Sequence, residues 1–257
     1  MSIDLQDKVY IVTGGSRGFG LAIAKNLVEH GARVGLISRN QEGLDQAVAE
    51  IGPEHAFGMA ADVGSRASVS AAFDEIKAHF GRLDGLINNA GLATPNKVEN
   101  LKEEEVVLQV QTNFLGTVFC CQAAIPLLRD SDNPRIINIS SASAWHYDEI
   151  SHLSIYASTK AAVERFTRDL RLEVQHDGIG VTCVRPGGAI TGFAEAWKPE
   201  PFAAALESWK NAGTYLDMGM EVEDVAEAVC YCLSQRPGVA VDLLEVRPNV
   251  LTSKAIF

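Results

Sequence analysis

The first 38 residues carry the pattern that most restricts how this chain can fold. Lys8–Val12 is an apolar, β-branched run long enough for one buried strand. A glycine-rich loop follows directly, and then an amphipathic helix ends at His30-Gly31. A second strand is predicted over Arg33–Ser38. Strand, loop, helix and strand within about 30 residues form a βαβ unit, which predicts a parallel sheet.

Strand and helix patterns alternate along the rest of the chain. The segment 186–220 breaks this alternation, and we expect it to be irregular. The remaining predicted helices are Gln41–Ile51, Arg66–Phe80, Lys102–Arg129, a helix that opens with Ile155–Lys160 and continues over Ala161–Glu173, and Val222–Ser234. The remaining predicted strands are Ala56–Ala60, Leu83–Ile87, Arg135–Ser140, Gly180–Val184 and one near Val241–Val246.

This alternation predicts an α/β Rossmann fold, a doubly wound parallel sheet of about seven strands with helices on both faces. The length of 257 residues would also allow two domains. Because the chain has no linker-like stretch, low-complexity tract or internal repeat, we predict one domain over residues 1–257.

The loop after the first strand has the spacing Gly14-x-x-x-Gly18-x-Gly20. Glycine permits positive φ in a tight turn and lets a phosphate approach the backbone closely. The helix start then offers free N–H groups and the positive end of its dipole to a pyrophosphate. The spacing differs from the commoner G-x-G-x-x-G, but its place between a strand and a helix predicts dinucleotide binding.

Tyr156 and Lys160 are four residues apart, so on a helix both project from one face. A phenol titrates near pH 10, and an adjacent ammonium favours the phenolate. We therefore expect Lys160 to lower the pKa of Tyr156 into a range useful for proton transfer. A serine at the end of the neighbouring strand could hold a carbonyl oxygen against the same phenol.

Composition excludes several other functional classes. A net charge of −11 disfavours nonspecific nucleic-acid binding. No apolar run is long enough to span a bilayer, and residues 1–8 lack the pattern of a signal peptide. The five cysteines form no C-x-x-C pair, and the six histidines show no metal-ligand spacing. We expect a cytoplasmic protein with buried, reduced thiols and no metal.

Several polar or glycine residues fall directly after the predicted strands. In a parallel α/β sheet, ligands bind at the carboxyl ends of the strands. The residues at those ends are Gly14, Ser38-Arg39, Asp62, Asn89, Ser141 and Pro186-Gly187.

Taken together and in this order, these motifs resemble the short-chain dehydrogenase/reductase family, in its short single-domain branch, over about residues 6–250. The matching elements are Thr13-Gly14-x-x-x-Gly18-x-Gly20, Asp62-Val63, Asn88-Asn89-Ala90-Gly91, Asn113, Ser140-Ser141, Tyr156-x-x-x-Lys160 and Pro186-Gly187 with Thr191. The resemblance implies NAD(P)-dependent oxidation of alcohols or reduction of ketones without a metal.

The resemblance also implies roles for individual residues. Tyr156 would be the general acid/base, Lys160 would lower its pKa and bind the nicotinamide ribose, and Ser141 would hold the substrate oxygen. Asn113 would help to position a water that links Lys160 to solvent. The cofactor would contact the glycine loop, strand ends and neighbouring loops, at Gly14, Ser16, Arg17, Gly18, Phe19, Gly20, Ser38, Arg39, Asp62, Val63, Asn89, Ala90, Gly91, Tyr156, Lys160, Pro186, Gly187, Ile190 and Thr191.

The catalytic serine has two candidates. Ser141 ends the strand where the family's serine usually lies, whereas the family's usual spacing back from Tyr156 points to Ser143. We favour Ser141, because strand register is fixed tightly and loops accept insertions.

The end of the second strand indicates which cofactor is preferred. NAD-specific Rossmann folds place an acidic residue there to bind the ribose 2′-hydroxyl, but this chain has Ser38 followed by Arg39. Arg17 in the glycine loop adds a second cation. Guanidinium groups bind a 2′-phosphate well, so we predict a preference for NADP(H) over NAD(H).

Substrate identity should depend on the segment Ala144–Ile150 and on a lid over Gly188–Met220. The lid carries Phe193, Trp197, Phe202, Trp209 and Tyr215, which suggests an apolar or bulky substrate, although these rings could equally pack the lid onto the body or a neighbouring subunit. Further substrate candidates are Ser143, Trp145 and His146, beside Phe193 and Trp197.

Three functions stay open at this point. The first is a reductase of a small-molecule ketone or aldehyde, or the reverse alcohol oxidation. The second is a 3-oxoacyl-carrier-protein reductase, with Arg129, Arg168 and Arg171 as a basic patch for an acidic carrier. The third is a catalytically inactive nucleotide-sensing regulator, which would have no need for the Tyr156 and Lys160 pair. The resemblance and the apolar helices Lys102–Arg129 and Tyr156–Gln175 imply a homodimer or homotetramer.

Overall fold

A computed structural model describes residues 3–146, 151–189, 191–212, 215–216, 218–250 and 252–253 of the protein. Within these ranges, seven parallel strands form the main sheet: β1 (Val9–Thr13), β2 (Arg33–Ser38), β3 (Ala56–Ala60), β4 (Gly85–Asn88), β5 (Arg135–Ile139), β6 (Gly180–Pro186) and β7 (Leu243–Val246). The α-helices are α1 (Gly18–Glu29), α2 (Gln41–Ile51), α3 (Arg66–Phe80), α4 (Glu103–Val110), α5 (Gly116–Leu128), α6 (Ser154–Val174), α7 (Pro199–Asn211) and α8 (Val222–Leu233).

The sheet runs in the order β7-β6-β5-β4-β1-β2-β3, with every neighbouring pair parallel. The order reverses between β1 and β4, where Val12 lies opposite Ile87. A crevice outside the carboxyl ends of the strands forms at such a switch point, and it is the usual ligand site of this architecture.

Helices cover both faces of the sheet, as the sequence predicted. Side chains of β1 alternate: Tyr10 and Val12 pack toward α1, α2 and α8, whereas Val9 and Ile11 pack toward α3, α5 and α6. These strand side chains are buried on both sides, so the apolar surface of the sheet is removed from water on each face. The sheet is thereby a rigid base for the residues at its carboxyl edge.

The prediction of an irregular segment over 186–220 is wrong. Residues Pro199–Asn211 form a helix that begins with proline in its first turn, where a missing N–H costs nothing. Phe202, Ala205, Leu206 and Trp209 follow the i, i+3, i+4, i+7 spacing and form its apolar face. Short strands also pair within the segment, at Gly188–Ala189 with Met218–Met220.

The predicted helix Lys102–Arg129 is divided in the structure. A π-helical turn over Gln111–Leu115 separates α4 from α5. Such wide turns are frequent at functional sites, and this one contains Asn113. The remaining predicted strands and helices differ from the observed ones by about two residues at their ends, a usual difference at helix and strand termini.

Two further expectations concern the cysteines and the membrane. All five cysteines are buried and unpaired, as expected. No helix in the described ranges is long and apolar enough to cross a bilayer. The single domain over residues 1–257 stays a prediction.

Candidate active site

The glycine loop leaves an open cradle at the start of α1. Gly14 adopts a φ of +66°, and its N–H donates to the carbonyl of Ile37 at 2.7 Å. A Cβ on Gly20 would collide with the carbonyl oxygen of Gly14. The first turn of α1 has no side-chain cap and no acidic residue, so an anion can take its place there. These features fit a dinucleotide pyrophosphate.

Side chains join the ends of β1 and β4 beside this cradle. The Thr13 hydroxyl accepts from the N–H groups of Asn89 and Ala90, each at 3.0 Å. The Asn89 amide donates to the carbonyl of Thr13 at 3.0 Å. Asn89 therefore holds the two strand ends together, which is the structural role considered for it from the sequence.

The end of β2 presents a cation to solvent. Ser38 exchanges hydrogen bonds with the backbone of Asn40, whereas Arg39 is exposed and has no hydrogen bond or ion pair within the described ranges. Arg17 is also exposed, but its guanidinium pairs with Glu195 of the predicted lid at 2.7 Å. Of the two predicted phosphate ligands, only Arg39 is therefore uncommitted.

The end of β3 places Asp62 and Val63 differently. Asp62 is exposed and accepts the N–H of Gly64 at 2.9 Å. Val63 is buried, and its side chain packs so closely that Gly116 has no room for a Cβ. The exposed Asp62 can thus contact a ligand, whereas the buried Val63 packs against Gly116 in the interior.

Three of the four predicted catalytic side chains come together at the carboxyl edge. Tyr156 lies in the first turn of α6, beside Ser141, which follows β5 and acts on the pKa of the phenol. Lys160 is buried one turn later, and its Nζ donates to the carbonyl of Ile139 at 2.8 Å. The same Nζ lies 5.9 Å from the centroid of the Tyr156 ring.

The pKa of Tyr156 differs from the sequence prediction. Burial of its hydroxyl raises this pKa, and the hydrogen bond from Ser141 offsets only part of the rise. Burial also lowers the pKa of Lys160 to about 8. Lys160 is not among the groups that shift the pKa of Tyr156, so the lowering predicted from the sequence is not seen. At neutral pH the phenol is therefore protonated.

Asn113 is fully buried, not exposed on a helix surface. Its side chain accepts the N–H of Leu92 at 2.9 Å and donates to the carbonyl of Leu92 at 2.8 Å. It also donates to the hydroxyl of Thr159 at 3.0 Å. A Cβ on Gly91 would lie 3.4 Å from both the Asn113 amide oxygen and Lys160 Nζ, so glycine lets these two groups approach.

The two candidate serines are bonded to each other. Ser143 donates from its hydroxyl to Ser141 at 2.9 Å and also donates its backbone N–H to that oxygen at 3.2 Å. Since Ser141 is the serine that acts on the pKa of Tyr156, it is the one next to the phenol. Ser143 lies one residue further from the phenol along this hydrogen-bonded pair, and its two hydrogen bonds hold the Ser141 hydroxyl in place.

Aromatic rings of the predicted lid pack directly on the phenol. The centroid of Phe193 lies 5.5 Å from that of Tyr156, and Trp197 follows at 5.9 Å from Phe193. Phe202 and Trp209 complete the row, and Trp209 is buried. The indole of Trp209 donates to the carbonyl of Ser151 at 2.7 Å, which attaches α7 to the chain just before α6.

The last strand end and the loops beside it hold the other predicted residues. Pro186 ends β6, Gly187 bonds to Val246 at 2.8 Å, and Thr191 lies against Gly18 across the cradle. Three sets of predicted positions lie outside the described residues or side chains: Ile190, the segment 147–150 and the ring of Tyr215.

Trp145 and His146 turn toward the sheet instead of the lid row. The Trp145 ring is 60% exposed and lies over the Arg185 guanidinium at 5.6 Å. His146 donates from Nε2 to Glu245 at 2.8 Å. Neither residue is part of the row of rings beside Tyr156.

Known proteins share both this sequence pattern and this fold. The family model described as short chain dehydrogenase matches residues 8–201. The chain belongs to the short-chain dehydrogenase family. An uncharacterized oxidoreductase of Staphylococcus aureus (strain USA300) is 33% identical over 244 residues, which make up 95% of this chain and 98% of that protein.

Solved structures of short-chain dehydrogenases superimpose closely. Serine dehydrogenase complexed with NADP+ has a TM-score of 0.81 at 28% identity, over 93% of this chain and 94% of that one. The 3-ketoacyl-(acyl-carrier-protein) reductase from Brucella melitensis, complexed with NADH, has a TM-score of 0.81 at 27% identity, over 95% and 98%. The predictions of a Rossmann fold and of a nicotinamide-dependent oxidoreductase are confirmed at the level of the family.

Sequence reasoning missed a group of charged residues behind this short-chain dehydrogenase site. Glu164, Arg185 and Glu245 form ion pairs next to β5, β6 and β7. Only Glu164 had a local signal, since it lies one helical turn after Lys160 on the same face. Glu245 reaches the site through the pairing of β7 with β6, which has no local signature.

Proposed function

We propose that this short-chain dehydrogenase is an NADP(H)-dependent carbonyl reductase that also catalyses the reverse alcohol oxidation. The observation that carries the proposal is that the Tyr156 phenol lies beside Ser141, which acts on its pKa, with the Lys160 ammonium 5.9 Å from the ring centroid. These groups lie at the carboxyl edge of the sheet, beside the glycine cradle. A nucleotide-sensing regulator would have no use for a phenol held in this way.

The bound nicotinamide supplies or takes the hydride, and the residues of the chain handle the proton and the charge. Tyr156 is protonated at neutral pH because burial raises its pKa, so it can give its proton to the carbonyl oxygen during reduction. Ser141 donates to the same oxygen and stabilises the charge that develops there. Lys160, whose Nζ lies 5.9 Å from the centroid of the Tyr156 ring, would hold the nicotinamide ribose.

The preference for NADP(H) rests on charge at the end of β2. Arg39 is exposed and uncommitted there, and no acidic residue takes the place that would bind a ribose 2′-hydroxyl. A guanidinium binds a phosphate through paired, charge-assisted hydrogen bonds. We expect Gly14, Gly18 and the start of α1 to hold the pyrophosphate.

The lid favours a substrate with an apolar or bulky group next to its carbonyl. Phe193 and Trp197 line the approach to Tyr156 as a nearly continuous aromatic wall. A carrier-protein substrate is less well supported by the surface charge. Of the proposed basic patch, Arg129 pairs with Asp177 and Arg171 with Asp242, which leaves only Arg168 without a carboxylate partner within the described ranges.

The proposal is tested by measuring oxidation of NADPH and NADH against a panel of ketones and aldehydes, with apolar, aromatic and carrier-linked members. We expect turnover with NADPH and an apolar carbonyl. Arg39→Ala should weaken NADPH binding about 10-fold, because hydrogen bonds to a charged group are lost. Arg236→Ala removes an exposed arginine elsewhere and is the matched control.

Equal use of NADH, or unchanged NADPH affinity in Arg39→Ala, would contradict the cofactor preference. Best turnover with a carrier-linked substrate would support the second function. A cytoplasmic location and a homodimeric or homotetrameric assembly stay part of the proposal, to be tested by fractionation and by light scattering.

A further inference from the structure

A row of ion-paired side chains, centred on the buried Arg185, lies behind the loop that carries Ser141. The Arg185 side chain is only 8% exposed. Its Nε and Nη2 donate to the two carboxylate oxygens of Glu164 at 2.8 and 2.6 Å, and its Nη1 donates to Glu245 at 2.6 Å. One guanidinium thus links a carboxylate on α6 to a carboxylate on β7.

Both ends of this row reach the serine loop. At one end, Ser140, the residue before Ser141, donates its hydroxyl to Glu164 at 2.7 Å. At the other end, His146 donates to Glu245 at 2.8 Å. The segment from Ser140 to His146 is therefore attached at its first and last residues to the same group of charges.

Trp145, the residue before His146, adds a third contact between the loop and the charged residues. The Trp145 ring lies 5.6 Å over the Arg185 guanidinium. Between the anchors, the chain makes one 3₁₀ turn over Ala142–Ala144, and its amides bond back to Ser141 and Ala142. The loop has little apolar burial of its own, since Trp145 is mostly exposed.

Stability alone does not account for this arrangement. Desolvation of a buried ion pair offsets much of its Coulombic attraction, so such a pair adds little net stability compared with apolar packing. The hydrogen bonds of Glu164 and Glu245, at 2.6 to 2.8 Å, fix the geometry of the loop between Ser140 and His146. The group that needs a fixed geometry is the Ser141 hydroxyl, which has to meet Tyr156.

We propose that Glu245 and His146 are positioning residues that hold the Ser141 loop against Tyr156 through the charged chain of Arg185 and Glu164. This inference rests on the proposed function, because it takes Ser141 as a group that contacts substrate. Neither Glu245 nor His146 contacts substrate in this arrangement. His146, a candidate substrate residue from the sequence, is the outer anchor of the loop.

The test compares Glu245→Gln, His146→Leu and the double variant with the wild-type protein. Hydrogen exchange of the amides of Ala144, Trp145 and His146 reports the order of the loop directly. We expect exchange about 10-fold faster in each single variant, and kcat about 10-fold lower, because Ser141 is less well placed. The KM for NADPH should stay within about twofold. The double variant should resemble Glu245→Gln, since that substitution already removes the carboxylate that His146 contacts.

Asp242→Asn is the matched control, because it removes the carboxylate of an exposed pair with Arg171 just before β7. It should leave both exchange and kcat unchanged. Unchanged exchange in both test variants overturns the proposal, and so does a loss of kcat without faster exchange. If Glu245→Gln also loosens β1 or α8, His146→Leu decides, because it leaves Arg185 paired with both glutamates.

The exchange measurement is independent of turnover, so the inference and the proposed function can fail separately. If no carbonyl is reduced but the loop loosens as expected, the proposed function fails and the anchoring stands. If carbonyls are reduced and the loop does not loosen, the anchoring fails and the proposed function stands.

Discussion

The catalytic edge and the lid are held by different forces. At the catalytic edge, Lys160 and Asn113 are buried, and their polar atoms bond to backbone carbonyls and amides of the sheet ends. The lid over 188–220 is attached by side chains, namely the ring row, the Trp209 bond, and ion pairs of Glu195 with Arg17 and of Lys198 with Glu105, and by the backbone pairing of Tyr215–Leu216 with Thr252–Ser253. The lid thus depends more on side-chain contacts than the catalytic edge does.

The lid's ion pairs are the weaker part of this contrast. In the pair of Arg17 with Glu195, the side chains are 60% and 70% exposed. Exposed pairs contribute about 0.2 to 1 kcal/mol and weaken with salt. The predicted catalytic side chains are therefore held by the sheet, whereas the lid is held in part by contacts that solvent conditions can change.

After Tyr156, the largest expected effect at the catalytic edge is at Ser141. Ser141→Ala removes the hydroxyl bonded to Tyr156, and kcat should fall about 10²-fold, as for loss of one donor to a developing oxyanion. Ser143→Ala removes only a donor to Ser141, and kcat should fall less than about 10-fold. Both are measured by NADPH oxidation with the best carbonyl of the panel. A larger loss in Ser143→Ala would assign the catalytic role to Ser143.

A second prediction concerns the pH dependence of stability, which should differ between the body and the lid. All five cysteines lie in the body, and burial raises the pKa of Cys232 from 9.0 to about 12. Because the folded-state pKa is the higher one, its contribution is complete below about pH 9 and is lost as pH rises toward 12. We measure, in reductant, how far the free energy of unfolding falls from about pH 9 to pH 10. This fall should be about 1 kcal/mol smaller in Cys232→Ala than in wild type.

Denaturant unfolding at each pH measures this difference. Parallel pH dependence of the two proteins would show that the thiol does not titrate as its burial requires. Proteolysis of the lid, which has no cysteine, serves as the internal control and should not follow the same pH dependence.

The smallest expected effect is at the attachment of the lid. Trp209→Phe keeps the ring packing but removes the hydrogen bond to Ser151, which is worth about 1 kcal/mol. Trypsin should then cleave after Lys210 about fivefold faster, whereas Lys198 is followed by Pro199 and is not a trypsin site. Added salt should speed cleavage of both proteins, because it weakens the lid's ion pairs. Trp145→Phe changes an exposed tryptophan outside the lid and should have no such effect. Equal cleavage rates in all three proteins would mean that the lid is held by other contacts.

The sequence predicted best what local pattern determines. The order of strands and helices, the glycine loop at Gly14 and the pairing of Tyr156 with Lys160 all follow from spacing along a strand or a helix. The helix α7 was missed because Pro199 and Pro201 hid a regular apolar spacing, although proline is favourable in a first turn.

Contacts between distant residues could not be predicted in the same way. His146 and Glu245 are 99 residues apart and meet only because β7 pairs with β6. The inward orientation of Asn113 required the π-helical turn, and the raised pKa of Tyr156 required knowledge of its burial. Each of these depends on packing, which a single sequence does not encode locally.

Comparison of wild type with Tyr156→Phe tests the proton donor most directly. NADPH oxidation with the best carbonyl substrate and NADPH affinity are measured in both proteins. We expect kcat to fall about 10³-fold or more in the variant, because the phenol proton is gone, while NADPH affinity stays within about twofold. Equal turnover in the two proteins would contradict the assignment of Tyr156 as the proton donor.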